Sequence, residues 1–432
     1  MSTKGSFNLG VFVVSWLVVG LGGSAFGGGY AVPPQTAKAA SLANAVTAGV
    51  DDPSAVYANP AALSVIDGNQ AMGGATYINT LSSVRNAGRT SSNQHEHDLI
   101  PTLFANYHIP KTDLTLGLGA YSPFGLATTY DSNSFSRFAA IRSKLTTMFI
   151  TPSIAWKPSP YFSIGGGVSF VRSYASLSRA VNFAPFGEGR LRIADKDNAY
   201  GYNLGILVKP HDAVKLGLTY RSRVDLKFDT ADAKFSDTPL AGGTVTRVRA
   251  TGIHIPLPPV VSAGIHWQIN DAWGVELVYD FTRWSEFERL KANFETPLPT
   301  VGGFGPSISG FTIPQDWKDT STIRFGASYK LTQSLSLRGG FALDQTPIPD
   351  STLGPAIPGA DFLTVTGGIG YNWGNLGIDV GYMAVFYQTR KVTNNVLETG
   401  GSPGAVPFSG VSGRDKFETF QNLVSLHLRY RF

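Results

Sequence analysis

The feature that most constrains this chain is a strict two-residue alternation that runs unbroken from Val214 to Asp229, "VKLGLTYRSRVDLKFD". One face carries Val214, Leu216, Leu218, Tyr220, Ser222, Val224, Leu226 and Phe228; the other carries Lys215, Gly217, Thr219, Arg221, Arg223, Asp225, Lys227 and Asp229. Side chains of a strand alternate between two faces, so this pattern demands an apolar and a polar environment on opposite sides of one sheet. The pattern returns in "STIRFGASYK" and at the chain end, where Val424, Leu426, Leu428, Tyr430 and Phe432 alternate with Ser425, His427, Arg429 and Arg431. Such runs exceed the five or six residues of an ordinary globular strand. Alternation alone fits either a soluble sandwich or a membrane barrel whose apolar face meets lipid.

Connection lengths separate the two. Short turns recur as "HIPKTD", "KPSPY", "KPHDA", "QINDA", "KLTQS" and "NWGN". Between them lie long polar stretches rich in Gly and Pro: Phe124 to Leu145, Ser173 to Asn198, Thr230 to Pro259, Thr282 to Thr320 and Tyr387 to Thr419. Alternating short and long connections place every short turn at one end of the sheet, the pattern of outer-membrane barrels with periplasmic turns and long outer loops. Six short turns join twelve strands, one more precedes them near Gln70 to Asn79, and one closes the chain at Gln421 to Phe432. The expected fold is an all-β, transmembrane, antiparallel barrel of about 14 strands. Closure removes the unpaired edges that lipid cannot solvate.

Composition agrees. Charged residues make up 15% and aromatics 12%, with 49 Gly, and the net charge is +5; soluble proteins average roughly 25% charged residues. No basic cluster dominates, so no nucleic-acid partner is expected. The absence of cysteine excludes disulfides, thiolate metal sites and cysteine nucleophiles. Residues 1–27 read as a signal peptide: Lys4, the apolar "LGVFVVSWLVVGLG", then small residues at "AFG". Residues 28–69 fit no strand and precede the first one on the periplasmic side, so they are expected to fold into the lumen as a hatch, with residues 70–432 as the barrel. Within the hatch, Asp51 and Asp52 are expected to cap a short helix beginning near Pro53. Asn59 and Pro60, followed by Ala61, are expected to end that helix in a structural turn.

The ordered motifs "GGYAVPPQTAKAASLANAVTAGVDDPSAVYANPAALS", "YSPFGLATTYD", "YGYNLGILVKPHDAVKLGLTYRSRVDLKF", "WSEFERLKANF", "LSLRGGFALDQTPIPD" and the closing "HLRYRF" span essentially the whole mature chain. In them the chain resembles the long-chain fatty acid transporters of the outer membrane, a group that includes aromatic-hydrocarbon uptake proteins. The resemblance implies passive uptake of hydrophobic molecules, caught at an outer groove, held in a lumenal pocket and released sideways through a kinked third strand. That strand starts at Leu114, and Gly119, Ser122, Pro123 and Gly125 are the candidates for the lateral opening; Pro123 also reads as a plain strand end. Arg179 and Lys318 fall near basic positions that contact a ligand carboxylate in fatty-acid members. Both also read as solvated charges, and Asp316 and Asp319 flank Lys318. "GFGPSISGFTIP" and "PFGEGRLRI" are candidate landing loops or plain surface. His95 and His97 are too few for a metal site. No G-x-S-x-G, P-loop or H-E-x-x-H is present, so no enzyme is expected. The implied partners are hydrophobic small molecules, with outer-membrane lipid and lipopolysaccharide around a monomeric barrel, and no cofactor. A general diffusion porin and an adhesive surface barrel are the competing functions.

Overall fold

A computed structural model describes residues 28–86, 88–94, 97–182, 187–237, 245–298, 308–392, 399–400 and 415–432. Residues 1–27, expected to be a signal peptide, and His95 lie outside these residues. Fourteen antiparallel wall strands close into a barrel. They are β1 (Gln70–Asn86), β2 (His97–His108), β3 (Leu114–Tyr121), β4 (Arg142–Ser159), β5 (Phe162–Asn182), β6 (Glu188–His211) and β7 (Val214–Arg221). The second half comprises β8 (Val260–Gln268), β9 (Trp273–Thr282), β10 (Thr320–Lys330), β11 (Leu335–Asp344), β12 (Phe362–Trp373), β13 (Leu376–Tyr387) and β14 (Lys416–Arg431). Closure is direct: β1 pairs with β14 from Gln70↔Arg431 to Arg85↔Lys416.

Along the wall strands the alternation read in the sequence is the alternation of burial, but the Val214–Asp229 run is not one strand. β7 stops at Arg221 with Leu216 and Leu218 exposed, and after Ser222 and Arg223 the residues Val224, Leu226 and Phe228 are buried in a different sheet. On β14, Leu423, Ser425 and His427 are buried, while Val424, Leu426, Leu428 and Tyr430 are 45–51% exposed. A girdle of exposed Leu, Ile, Val and aromatic side chains around a closed sheet is stable only where its surroundings are lipid.

The long connections are more ordered than their composition suggests. β5 and β6 run on through Ser173–Asn182 and Glu188–Asn198. Short strands Ala231–Ser236 and Thr246–Thr251 extend the same sheet from β6. Val224–Phe228 and Ile253–Leu257 form a separate two-stranded ribbon. Arg289–Leu298 and Ile308–Pro314 pair as a hairpin above β9 and β10. Inward apolar side chains hold this outer part together, as in Phe235 against Phe294 at 5.5 Å and Phe294 against Phe311 at 6.3 Å between ring centroids. His97 begins β2, where its ring stacks on Tyr77.

Candidate functional site

The N-terminal segment contains two short helices, α1 (Ala37–Ser41) and α2 (Ala55–Ala58), and a 3-10 helix at Pro60–Val65. Thr36 caps α1 through its hydroxyl, which accepts from Ala39 N–H. The Asp-Asp pair works differently from the sequence expectation. Asp52 closes a turn by accepting from Ser54 N–H at 2.9 Å and from its hydroxyl, and Ser54 precedes α2. Asp51 pairs with Lys38, tying α1 to the next loop. Asn59 does not merely end α2. Its Oδ1 accepts from Ala61 N–H at 3.1 Å and so starts the 3-10 helix, with Pro60 in the first turn. Its Nδ2 donates to Thr47 O at 2.9 Å and to Ile206 O of β6 at 3.2 Å. Asn59 therefore fixes the segment to itself and to the wall at once.

The wall meets this segment with its backbone. A Cβ at Gly165 of β5 would lie 2.5 Å from the Pro60 carbonyl, and one at Gly217 of β7 would lie 2.6 Å from Thr47 O. Only glycine permits such an approach. Single polar side chains from the wall then satisfy the segment's free backbone groups. Glu276 of β9 accepts from Ala48 N–H at 2.6 Å and Gly49 N–H at 2.9 Å. Asn203 of β6 donates to Val56 O at 2.7 Å, and Thr366 of β12 donates to Ser41 O at 2.8 Å. His427 of β14 accepts from Ala37 N–H at 3.0 Å through Nδ1. Its Nε2 therefore carries the proton and donates to Thr102 Oγ1 at 2.8 Å, while the Thr102 hydroxyl donates to Gln35 O at 2.9 Å. Contacts from β2, β5, β6, β7, β9, β12 and β14 all converge on the segment, which places it against the inner face of the wall.

The third wall strand is interrupted. β3 ends at Tyr121, and Gly125–Thr129 resumes pairing with β4 after Ser122–Phe124. β2 pairs with β3 only from Leu103 to His108, so the β2–β3 ladder stops short of residues 98–102. The N-terminal chain fills this interruption. Val32 N–H donates to Pro123 O at 2.8 Å, and Gly125 N–H donates to Tyr30 O at 2.9 Å. Gln35 clasps Ser122 from both sides, accepting from its N–H at 2.9 Å and donating to its carbonyl at 3.2 Å, while also donating to Val32 O at 2.6 Å. Proline at 123 has no N–H to leave unpaired, which suits a strand that must stop pairing there. Ser122, Pro123 and Gly125 thus lie in or beside the interruption, whereas Gly119 is still within β3 and packs on Val56 and Phe104.

Behind this interruption lies an aromatic cluster. The Tyr30 ring centroid is 4.8 Å from Trp284, 5.9 Å from Phe287 and 5.5 Å from Trp317, and its hydroxyl donates to Pro256 O. A cavity of about 70 Å³ adjoins it, with Phe124 and Trp284 on one side and Arg221, Arg324, Asp280 and Asp344 among its polar walls. Arg324 spans the two acids, 2.7 Å from Asp280 and 3.2 Å from Asp344. Arg221 lies with its guanidinium carbon 4.1 Å over the Tyr57 ring.

The two cations singled out in the sequence sit elsewhere. Arg179 is buried on the inner face of β5, with its guanidinium carbon 4.3 Å over Phe311. Lys318 is exposed, and its backbone N–H donates to Pro347 O. Neither lines the cavity; Arg221 and Arg324 do. Gln35, Glu276 and His427 also escaped the sequence reading. Each is a lone polar residue on an apolar or mixed stretch, and its role depends on backbone brought from far away in the chain.

Comparison with known proteins places this geometry. The family described as outer membrane protein transport protein (OMPP1/FadL/TodX) matches residues 18–432. A long-chain fatty acid transport protein of Escherichia coli O6:H1 strain CFT073 is 25% identical, over 79% of this chain and 83% of that one. Among solved structures, a Pseudomonas aeruginosa FadL homologue superposes with a TM-score of 0.77 at 21% identity, covering 94% of this chain and all of that one (100%). The Pseudomonas putida toluene transporter TodX gives a TM-score of 0.71 at 18% identity, with 93% and 99% coverage. Strands, closure and a match over nearly the full length converge: the chain belongs to the OMPP1/FadL/TodX family of outer-membrane transport proteins, which carry hydrophobic compounds across the outer membrane of Gram-negative bacteria.

Proposed function

We propose that the protein is a passive, monomeric uptake channel for hydrophobic compounds, long-chain fatty acids or aromatic hydrocarbons, in which residues 28–69 act as a hatch and the cargo leaves sideways through the interrupted third strand. The observation that carries this reading is the clasp of Gln35 on Ser122: the third strand of the wall is interrupted, and the backbone of Tyr30 and Val32 bonds across the interruption. Cargo reaching the aromatic cluster around Tyr30, Trp284 and Trp317 is held by apolar contact. Withdrawal of Tyr30–Gln35 then opens a path from that cluster to the bilayer. Lateral exit fits the energetics, because each CH₂ kept out of water saves about 0.8 kcal/mol. Delivery into the periplasm would forfeit that saving. No energy source is needed, since the cargo moves down its gradient.

Arg221 and Arg324 are already engaged, by Tyr57 and by two carboxylates, which supports an interior that stabilises the hatch more than it draws in a charged headgroup. The carboxylate-reading role inferred for Arg179 and Lys318 is tested by neutral substitution at each. Weakened binding of fatty acids with arenes unaffected supports it; equal loss for both ligand classes removes it.

The overall reading is tested by uptake of radiolabelled oleate and toluene in a deletion strain carrying the gene on a plasmid. Faster uptake of either compound is expected. Unchanged uptake of both, together with a large steady conductance in planar bilayers, would instead identify a general diffusion porin.

A further inference from the structure

Tyr30 is held at three points that belong to three different parts of the chain. Its carbonyl accepts from Gly125 N–H at 2.9 Å, at the interruption of β3. Its ring lies in the aromatic cluster, edge-on to Trp284. Its hydroxyl donates to Pro256 O, in the ribbon formed by Val224–Phe228 and Ile253–Leu257. The residue is wholly buried, so this hydroxyl needs a partner inside the protein, and the ribbon supplies it.

The ribbon is attached in a way that lets it lift without unzipping the wall. Its two strands pair with each other and, among the described residues, with no wall strand. It follows β7 after Ser222, whose N–H donates to Tyr202 O at 2.9 Å, and rejoins the wall at β8, where Arg283 N–H donates to Pro259 O at 3.1 Å. Between these ends, side chains take the place of a backbone ladder. Asp197 of β6 accepts from Lys227 N–H at 2.7 Å, and Asp195 accepts from Thr230 N–H at 3.3 Å and from its hydroxyl at 3.1 Å. Arg223 pairs with Glu286, in the 3-10 turn Trp284–Glu286. Leu226, Phe228 and Leu257 of the ribbon are buried in the same core as Tyr30, Trp284 and Trp317.

We propose that the Tyr30 hydroxyl couples this ribbon to the interrupted wall, so that cargo lifting the ribbon on its way into the aromatic cluster also loosens the Tyr30–Gln35 filling. Its consequence for uptake rests on the lateral-exit reading given above. Tyr30 is then a positioning residue for transport. One side chain bonds the ribbon, the backbone of the same residue bonds the wall, and displacing either element removes a restraint on the other. Such coupling is reciprocal: a bond present only when both elements are closed protects each of them by the same factor.

The test replaces Tyr30 by Phe, which keeps the ring and removes only the hydroxyl. Hydrogen exchange of the full-length barrel in a nanodisc is read at two amides: Gly125, bonded to Tyr30 O, and Lys227, bonded to Asp197 from the ribbon. Tyr30→Phe is expected to speed both by the same factor, about fivefold for one buried hydrogen bond, and to leave Ala48, held by Glu276, unchanged. Acceleration at one of the two amides alone, or at neither, overturns the coupling. Equal acceleration at Ala48 overturns it too, because the N-terminal segment would then be loosened throughout. Uptake of toluene and oleate gives a second readout. With the closed state weakened, less of the cargo's binding energy goes into opening, so the half-saturation concentration is expected to fall about fivefold with the maximal rate kept. An unchanged half-saturation concentration overturns the proposal, whatever the maximal rate. Exchange reads the coupling whether or not cargo leaves through the wall, and uptake by a protein cross-linked across the interruption reads the exit alone, so the two readings fail separately.

Discussion

Replacing Gln35 by Leu keeps the side chain's approximate volume and removes all of its polar atoms. Three backbone groups then lose a partner at the interrupted wall: Ser122 N–H at 2.9 Å, Ser122 O at 3.2 Å and Val32 O at 2.6 Å. Ser122 and Val32 are buried, so water does not replace the lost bonds while Tyr30–Gln35 lie against the interrupted strand. An unsatisfied buried group costs about 1–3 kcal/mol, and the N–H, with no second option, bears the larger share. With the two carbonyls at the low end, a combined cost of about 3–4 kcal/mol shifts the opening equilibrium roughly 140- to 700-fold, at about 1.4 kcal/mol per tenfold. Hydrogen exchange in a nanodisc reads this directly. The amides of Val32 and Gly125, which join Pro123 and Tyr30 across the interruption, should exchange faster by that factor. The amides of Ala48 and Gly49, held by Glu276, should not change. Unchanged protection at Val32 and Gly125 would refute the clasp, and acceleration spread evenly over residues 28–66 would refute its local character.

Glu276→Ala should do the reverse, freeing Ala48 and Gly49 with at least tenfold faster exchange while Val32 and Gly125 stay protected; loss of protection at neither pair would show that the carboxylate does not anchor the segment. Arg324→Leu strands Asp280 and Asp344 in the interior and should cost about 3–5 kcal/mol, read as a lowered thermal unfolding midpoint. Repeating the change on an Asp280→Asn, Asp344→Asn background should recover much of that loss, and no recovery would mean that packing around Arg324, not its charge, carries the effect.

The barrel was legible because its physics is periodic. A wall strand must alternate, and a closed wall must have short turns at one end, so runs such as "VSLHLRYRF" and the turn series reveal strand number and topology together, although the run from Val214 overreads its strand, which leaves the wall after Arg221. The interruption at Ser122–Phe124 was an implication of the resemblance; Pro123, which removes a donor where a ladder needs one, read equally as a plain strand end. The outer sheet was not legible. Ser173–Asn198 is polar and rich in small residues on its outward side, and its inward Leu177, Leu191 and Ile193 become a core only when strands from distant segments cover them. The anchors of the N-terminal segment were hidden more deeply. Gln35, Glu276 and His427 are single polar residues whose partners are backbone atoms, and backbone atoms leave no mark in composition or spacing. Arg221 and Arg324, at the cavity, were hidden differently: the Tyr57 ring and the Asp280 and Asp344 carboxylates that engage them come from distant segments, whereas Arg179 and Lys318 rested on a resemblance.

The central claim, release through the wall where Tyr30–Gln35 fill the third strand, is tested most directly by locking that filling in place. Ala31 and Phe124 face each other in an antiparallel bridge, flanked by the Val32 to Pro123 and Gly125 to Tyr30 hydrogen bonds. A non-hydrogen-bonded pair of this kind brings Cα atoms to about 4.5 Å, within reach of a disulfide. The chain has no cysteine of its own, so Ala31→Cys with Phe124→Cys yields one defined cross-link. Uptake of oleate and toluene by the oxidised protein is expected to fall at least tenfold and to return on reduction, with each single cysteine variant active throughout. Uptake by the cross-linked protein at the rate of its reduced form would contradict lateral release at this position.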